Sequence, residues 1–219
     1  MSRRSEVVSS YEKPAEMYLE WKSDEQSFSY YDKAQGKNIT FNPGKFLFLM
    51  DRSTIKGWSE SDQSGIYSNE VKNLSTDDLN VRTFAGKQIA SGKYAEIKES
   101  IAKAGGTFTK SIYAMMEDGT IINFQLRGVS LRQWMDFTAK SRRRLPDEWI
   151  NIASVEEGKK GRVTFSFPIF EFSGSLNVSQ GDLADQQYNE LKRKLEPSER
   201  IADHQTDDAS VPADDEIDF

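Results

Sequence analysis

The stretch FTKSIYAMMEDGTIINFQL, residues 108–126, decides the fold class. Phe108, Ile112, Ala114 and Met116 keep a period of two ahead of Glu117-Asp118-Gly119, and Ile122, Phe124 and Leu126 resume it afterwards. Successive side chains of a strand point to opposite faces, so the alternation describes two strands with one apolar face each. Asp118-Gly119 between them suits a tight hairpin, because glycine adopts the positive φ such turns need.

Working outward, VRTFAGKQIA (81–90) reads as a strand. Lys93–Ala104 reads as a helix with Tyr94, Ile97, Ile101 and Ala104 at helical spacing, ended by Gly105-Gly106. Further upstream, FSYYD and NITF flank KAQGK as a hairpin, and Pro43-Gly44 turns the chain into KFLFLMD, an apolar run suited to a buried strand. Pro14 to Lys22 fits either a short helix or a strand on which Met17, Leu19 and Trp21 share a face. Asp62–Gly65 is a polar turn and NLSTDD a surface loop. Downstream, Ser130 with Gln133 matches a capping box, so a second helix is expected with Leu131, Trp134, Met135 and Thr138 on one face, stopping before Pro146. WINIASV and RVTFSFPIFEF then pair across a polar EEGKKG turn, with a bulge or edge where the alternation slips at Pro168. A last helix carries Leu183, Leu191 and Leu195 and ends at Pro197.

The expected architecture is mainly β with accessory helices. Strands, a helix, then more strands is the order of an elaborated oligonucleotide-binding (OB) fold barrel, other small β-barrels remaining open. The chain divides into an N-terminal extension (1–26), an OB-like body (27–178), a C-terminal helix (179–202) and a disordered acidic tail (203–219).

Composition narrows the chemistry. There is no cysteine and a single histidine, His204, which removes disulfides, thiol nucleophiles and cysteine or histidine metal clusters. No run approaches the roughly eighteen apolar residues of a membrane span, and MSRRSEVVSS lacks the apolar core of a secretory signal, so a cytoplasmic location without membrane contact is expected. The net charge of -6 is unevenly placed: seven of the 35 acids lie at 203–219, which leaves 28 acids against 29 bases over the rest. Residues 82–162 carry fifteen Lys and Arg against nine Asp and Glu. Positive charge is thus concentrated in the middle of the body.

The last six residues, Asp214, Asp215, Glu216, Ile217, Asp218 and Phe219, form a two-part ligand. Phe219 offers a ring beside a free carboxylate, suited to an apolar pocket with a basic rim, while the acids steer the encounter. This tip resembles the acidic tip of bacterial single-stranded DNA-binding proteins, which ends in three aspartates, Ile, Pro and Phe; Asp218 stands where that family has Pro. The plan of β-rich body, acidic tail and terminal Phe is similar to that of phage single-stranded DNA-binding proteins of the T7 type. The specific match covers residues 214–219, with architectural similarity over 27–172. The resemblance implies a body that binds single-stranded DNA and a tail that recruits replication proteins such as DNA polymerase or primase-helicase. It also implies host cytoplasm as the location if the chain is phage-encoded.

Single strands are held by cationic grooves and by aromatic faces that stack on bases. Candidates are Arg52, Lys56, Trp58, Tyr67, Arg82, Lys87, Lys110, Tyr113 and Arg127; Tyr113 and Arg127 are expected to look away from the core. Two basic runs join them: Arg142, Arg143 and Arg144 after the second helix, and Lys159, Lys160 and Arg162 at a hairpin tip. Core packing for the aromatics and solvation of a helix end or turn for the basic runs compete with these roles.

Asp147 with Glu157-Gly158-Lys159 formally matches the carboxylate and lysine pattern of metal-dependent nucleases, but a turn is a poor place for it, and no catalytic residue, metal or cofactor is assigned. A protein-interaction module or virion component with an acidic tail is the alternative class. The stripe of Leu183, Leu191 and Leu195 gives a candidate homodimer surface.

Overall fold

The computed structural model describes residues 13–196. The tail, with Asp214 to Phe219, lies outside the described residues. The central hairpin forms as its alternation requires: β8 (Gly106–Met116) pairs antiparallel with β9 (Ile121–Leu126), Ile112 opposite Phe124 and Ala114 opposite Ile122. Gly119 takes φ +86° in the turn, and Asp118 accepts from the Thr120 amide at 2.9 Å.

Pro14–Lys22 resolves to a strand, β1 (Met17–Lys22), because it fills the free edge of β9 in parallel, Leu19 opposite Phe124. β2 (Ser27–Asp32) and β3 (Lys37–Phe41) continue from it as the expected hairpin. On the other side of β8 lies β4 (Phe46–Ser59), longer than the apolar run that announces it and bulged between Phe48 and Met50. Its second edge is shared: Ile150 meets Phe46, Val71 bridges to Ser53, and β5 (Ser64–Ser68) pairs from Lys56 to Ser59. β6 (Leu79–Thr83) and β7 (Gln88–Gly92) complete the order β3-β2-β1-β9-β8-β4-β5-β6-β7. The two ends of this order do not pair, so the sheet is mixed, large and not closed.

Three local expectations need correction. VRTFAGKQIA is a hairpin rather than one strand, because Gly86 at φ +84° lets its amide reach the Thr83 carbonyl and folds the chain back. Helix α2 (Gly128–Lys140) starts two residues before Ser130 with Arg127 at its cap; Ser130 is buried and Met135 exposed, while Phe137 packs beside Trp134. The capping box occurs instead at α3 (Val178–Leu195), where Asn177 and Gln180 exchange side-chain to backbone bonds of 2.9 and 3.0 Å. Finally, EEGKKG is strand: β10 (Glu148–Lys160) and β11 (Val163–Ser175) pair as far as Lys160 and Val163 around Gly161-Arg162. The slip foreseen at Pro168 is a register shift in which Ile152 faces Phe170 and Ser154 faces Ile169.

Each face of the sheet has its own cover. On the inner face, Leu19, Phe46, Ile112 and Phe124 pack beneath α2 and the β10–β11 hairpin with Trp134, Ile150 and Phe170. Beside them, Ile55, Ile66, Leu79 and Val81 pack under α1 (Tyr94–Ala104) through Ile97 and Ile101. On the outer face, Ala184 and Leu191 of α3 sit on Leu47, Met115, Met50 and Tyr113 at one end. The leucine stripe of the last helix is therefore laid on the chain's own sheet. Among the described residues no helix is long and apolar enough to cross a membrane.

Candidate nucleic-acid interface

Beyond α3, no helix of the described residues packs on the outer face of the sheet, where Thr54, Ser111 and Gln125 are buried and Lys56, Tyr67 and Tyr18 partly exposed. Alternation places Thr54, Lys56 and Trp58 of β4, Ser111 of β8, Gln125 of β9, Tyr18, Glu20 and Lys22 of β1 and Tyr67 of β5 on this face, opposite their apolar neighbours. Two hollows lie on it and a third opens past its end. The first, about 660 Å³, lies among Tyr18, Tyr67, Glu70, Asn80, Arg82 and Lys194. The second, about 450 Å³, lies among Tyr18, Glu20, Lys22, Tyr31, Lys33 and Gln125. The third, about 190 Å³, lies at the sheet's end where the β1–β2 turn, the start of α2 and the hairpin meet, among Trp21, Gln125, Arg127, Ser130 and Phe165. Tyr18 lines the first two and Gln125 the last two, so neighbouring hollows share a wall and together make a trough whose lining comes from β6, β5, β8, β9, β1 and β2.

Four of the candidates lie together on β4, β5 and β6, and two of them, Tyr67 and Arg82, line the first hollow. Lys56 stands opposite Tyr67 on neighbouring strands, Tyr67 stands opposite Arg82, and Trp58 follows Lys56 on the same face, half exposed. Burial lowers the Lys56 pKa from its ordinary value, opposed by the nearby Glu70 and Glu20 carboxylates. Arg82 is exposed and has no ion pair among the described residues. Sequence reading does not single out Phe84, which is 73% exposed and stacks on Tyr67 with centroids 5.2 Å apart. Reading VRTFAGKQIA as one strand hides it, since Phe84 begins the turn between β6 and β7; the trace it leaves in the sequence is Gly65, where an added Cβ would run into the Phe84 ring.

At the far end, Arg127 is half exposed, 3.8 Å from Glu20, and lines the third hollow. Lys159, Lys160 and Arg162 are exposed at the tip of β10–β11. The hairpin is pinned to the β1–β2 turn: Trp21 donates to the Ser166 carbonyl at 2.9 Å, Ser166 and Ser23 exchange two bonds, and Gln26 donates to Glu157 at 2.9 Å. Lys159, Lys160 and Arg162 project beyond these contacts.

Other candidates lie elsewhere. Tyr113 faces away from the inner core, as expected, but α3 buries it; its hydroxyl donates to Glu70 at 2.7 Å, and burial, then Glu70, raises its pKa far above the ordinary phenol value. Arg52 is buried against Glu196 at 3.0 Å. Lys110 is on the inner-face side, 2.6 Å from Asp51. Lys87 pairs with Asp62 at 2.7 Å on the turn after β4. Arg142 and Arg143 are exposed beyond α2, on the opposite side of the sheet from the trough. Arg144 is exposed, makes two bonds of 2.6 Å to Glu148 and lies 4.1 Å from the Phe172 ring, so its guanidinium is engaged within the chain.

The nuclease-like pattern does not assemble. Glu157 and Lys159 are on a strand, but Asp147 precedes the start of β10, roughly 33 Å from Glu157 along an extended strand. No protein-family model matches the chain, and comparison with curated proteins and with solved structures finds no match either.

Proposed function

We propose that the protein binds single-stranded DNA along the outer-face trough and recruits replication proteins through its acidic tail. The observation that carries this is the row Lys56, Tyr67 and Arg82 on neighbouring strands, flanked by the exposed rings of Trp58 and Phe84, with Tyr67 and Arg82 lining the first hollow. Rings of this kind accept any base, each stack contributing about 1–3 kcal/mol, and cations on the rims meet phosphates. The hairpin tip with Lys159, Lys160 and Arg162 supplies the second cationic end. Glu20 and Glu70 inside the trough favour bases facing inward and phosphates lying along the rims.

Connectivity supports an elaborated OB reading: β4-β5-β6 form a meander, α1 precedes β8, and the β8–β9 hairpin returns to β4. In this reading β1 takes the edge of β9 that barrel closure would use. The end of α3 lines the first hollow through Lys194 and Leu195, so the chain leaves toward the tail beside the trough. Phage DNA replication and recombination is the setting that the resemblance of the tip supports, and no catalytic step is assigned.

The test is fluorescence anisotropy of labelled oligo-dT, single-stranded against duplex, at two salt concentrations. Single-strand binding that falls with salt at a log–log slope of about -0.7 per phosphate supports the proposal. Absence of binding at low salt ends it and leaves the protein-interaction module.

A further inference from the structure

Glu70 is out of place in a groove meant for phosphates. It sits between β5 and the Val71 bridge, lines the first hollow, and shares that hollow with Tyr18, Tyr67 and Arg82. Two buried hydroxyls hold it: Ser111 Oγ donates to Oε1, and Tyr113 Oη donates to Oε2 at 2.7 Å. Asn123 Nδ2 donates to Ser111 Oγ at 2.6 Å, which turns the serine proton toward Glu70. Tyr113 is kept a donor, because burial and the carboxylate itself both oppose its ionisation. Ser111 and Asn123 are fully buried and Tyr113 nearly so; the carboxylate is thus fixed from behind by a rigid polar network.

An ionised carboxylate has about four lone-pair sites, and the two hydroxyls take one on each oxygen. Among the described residues no other donor is bonded to it, so one acceptor site per oxygen is left on a carboxylate that lines the hollow. Phosphate is repelled by such a group. A base edge with two adjacent N–H donors is attracted, and guanine alone among the four bases has one, at N1 and the N2 amino group. Thymine presents a single N–H between two carbonyls; adenine and cytosine each set an acceptor ring nitrogen beside their amino group.

We propose that Glu70 is a base-reading residue, accepting the paired N–H donors of guanine while Tyr67 stacks on the ring and Arg82 meets the neighbouring phosphate, so that one subsite of the trough prefers guanine. The inference rests on the single-strand reading and adds a bias at one position to otherwise sequence-tolerant binding.

The experiment uses the full chain and three labelled oligonucleotides of one length: alternating dG-dT, alternating dI-dT, in which hypoxanthine lacks the N2 amino group, and oligo-dT. Binding of dG-dT should be about five- to tenfold tighter than that of dI-dT, an effect of the size a charge-assisted base contact gives. Glu70→Gln should abolish the difference and tighten oligo-dT. The guanine against hypoxanthine comparison needs no variant, so misfolding cannot mimic the result. Equal binding of all three oligonucleotides overturns the inference and leaves strand binding intact; a guanine preference that survives in a folded Glu70→Gln protein also overturns it. Failure to bind any of the three removes the strand-binding reading and the inference with it.

Discussion

Phe84 lies nearly parallel to Tyr67, the ring planes 16° apart, over a strand position where Gly65 supplies no side chain. A stacked aromatic pair this exposed contributes little to the core, so its value is as a platform. Phe84→Ala should weaken oligo-dT binding about tenfold, through the absence of one base stack, with the melting temperature almost unchanged. Gly65→Ala tests the same platform from below: its Cβ would displace the Phe84 ring rather than the backbone and should reproduce most of the effect. Thermal melting beside anisotropy checks both; undiminished binding by Phe84→Ala removes the platform.

The two basic runs should separate in salt. Lys159, Lys160 and Arg162 are at the tip of the hairpin whose Phe165 and Ser166 line the third hollow, whereas Arg142 and Arg143 lie beyond α2. Replacing the three tip residues by alanine should flatten the log–log salt slope by about 0.7 for each phosphate no longer neutralised, and replacing Arg142 and Arg143 should leave it unchanged. Equal effects of the two sets would place the strand on a different surface.

What the sequence discloses depends on how local the cause is. The β8–β9 hairpin is legible because its alternation and Asp118-Gly119 are both written within twenty residues. Lys56, Tyr67 and Arg82 are legible one by one from polarity and parity, yet their alignment is a matter of strand register and emerges only in the sheet. Parity gives the face of Tyr113 correctly but not what covers that face, since α3 arrives from about 70 residues downstream. EEGKKG resembles a turn because both sides of that hairpin arm are exposed, which removes the apolar half of a strand pattern. Glu70 comes from an irregular segment, so no periodicity marks it as part of the groove.

Arg52 should behave as a structural residue. Its side chain is 9% exposed and holds Glu196 at 3.0 Å, tying the end of α3 to β4. Removing Glu196 leaves the guanidinium short of a partner, but Glu196 is itself 44% exposed, so water offsets part of the penalty. Glu196→Gln should cost about 1–2 kcal/mol in denaturant unfolding, with the salt slope of DNA binding unchanged. A slope that drops by one phosphate in Arg52→Met, without a fall in stability, would return Arg52 to the binding surface.

The tail carries two separable jobs, and its attachment beside the first hollow sets the expectation for each. Truncating residues 203–219 removes seven acids tethered near the trough, so oligo-dT binding should tighten at low salt, with the effect shrinking as salt screens the competition. Deleting Phe219 alone keeps every side-chain acid and only moves the terminal carboxylate by one residue, so DNA affinity should barely change. Partner docking has the opposite dependence: a ring must fill a pocket while the carboxylate meets a basic rim, and an interface this small rests on one or two anchors. Loss of Phe219 should therefore abolish most partner binding. Replacing Asp214, Asp215 and Glu216 by Asn and Gln should tighten DNA binding and slow partner association in a salt-sensitive way, because steering depends on charge and not on the ring. Calorimetry of the tail peptide with candidate polymerases and primase-helicases reads the second job, and anisotropy reads the first. Equal partner binding with and without Phe219 would reduce the tip to a plain acidic tail, and weaker DNA binding after truncation at low salt would show that the tail does not compete for the trough.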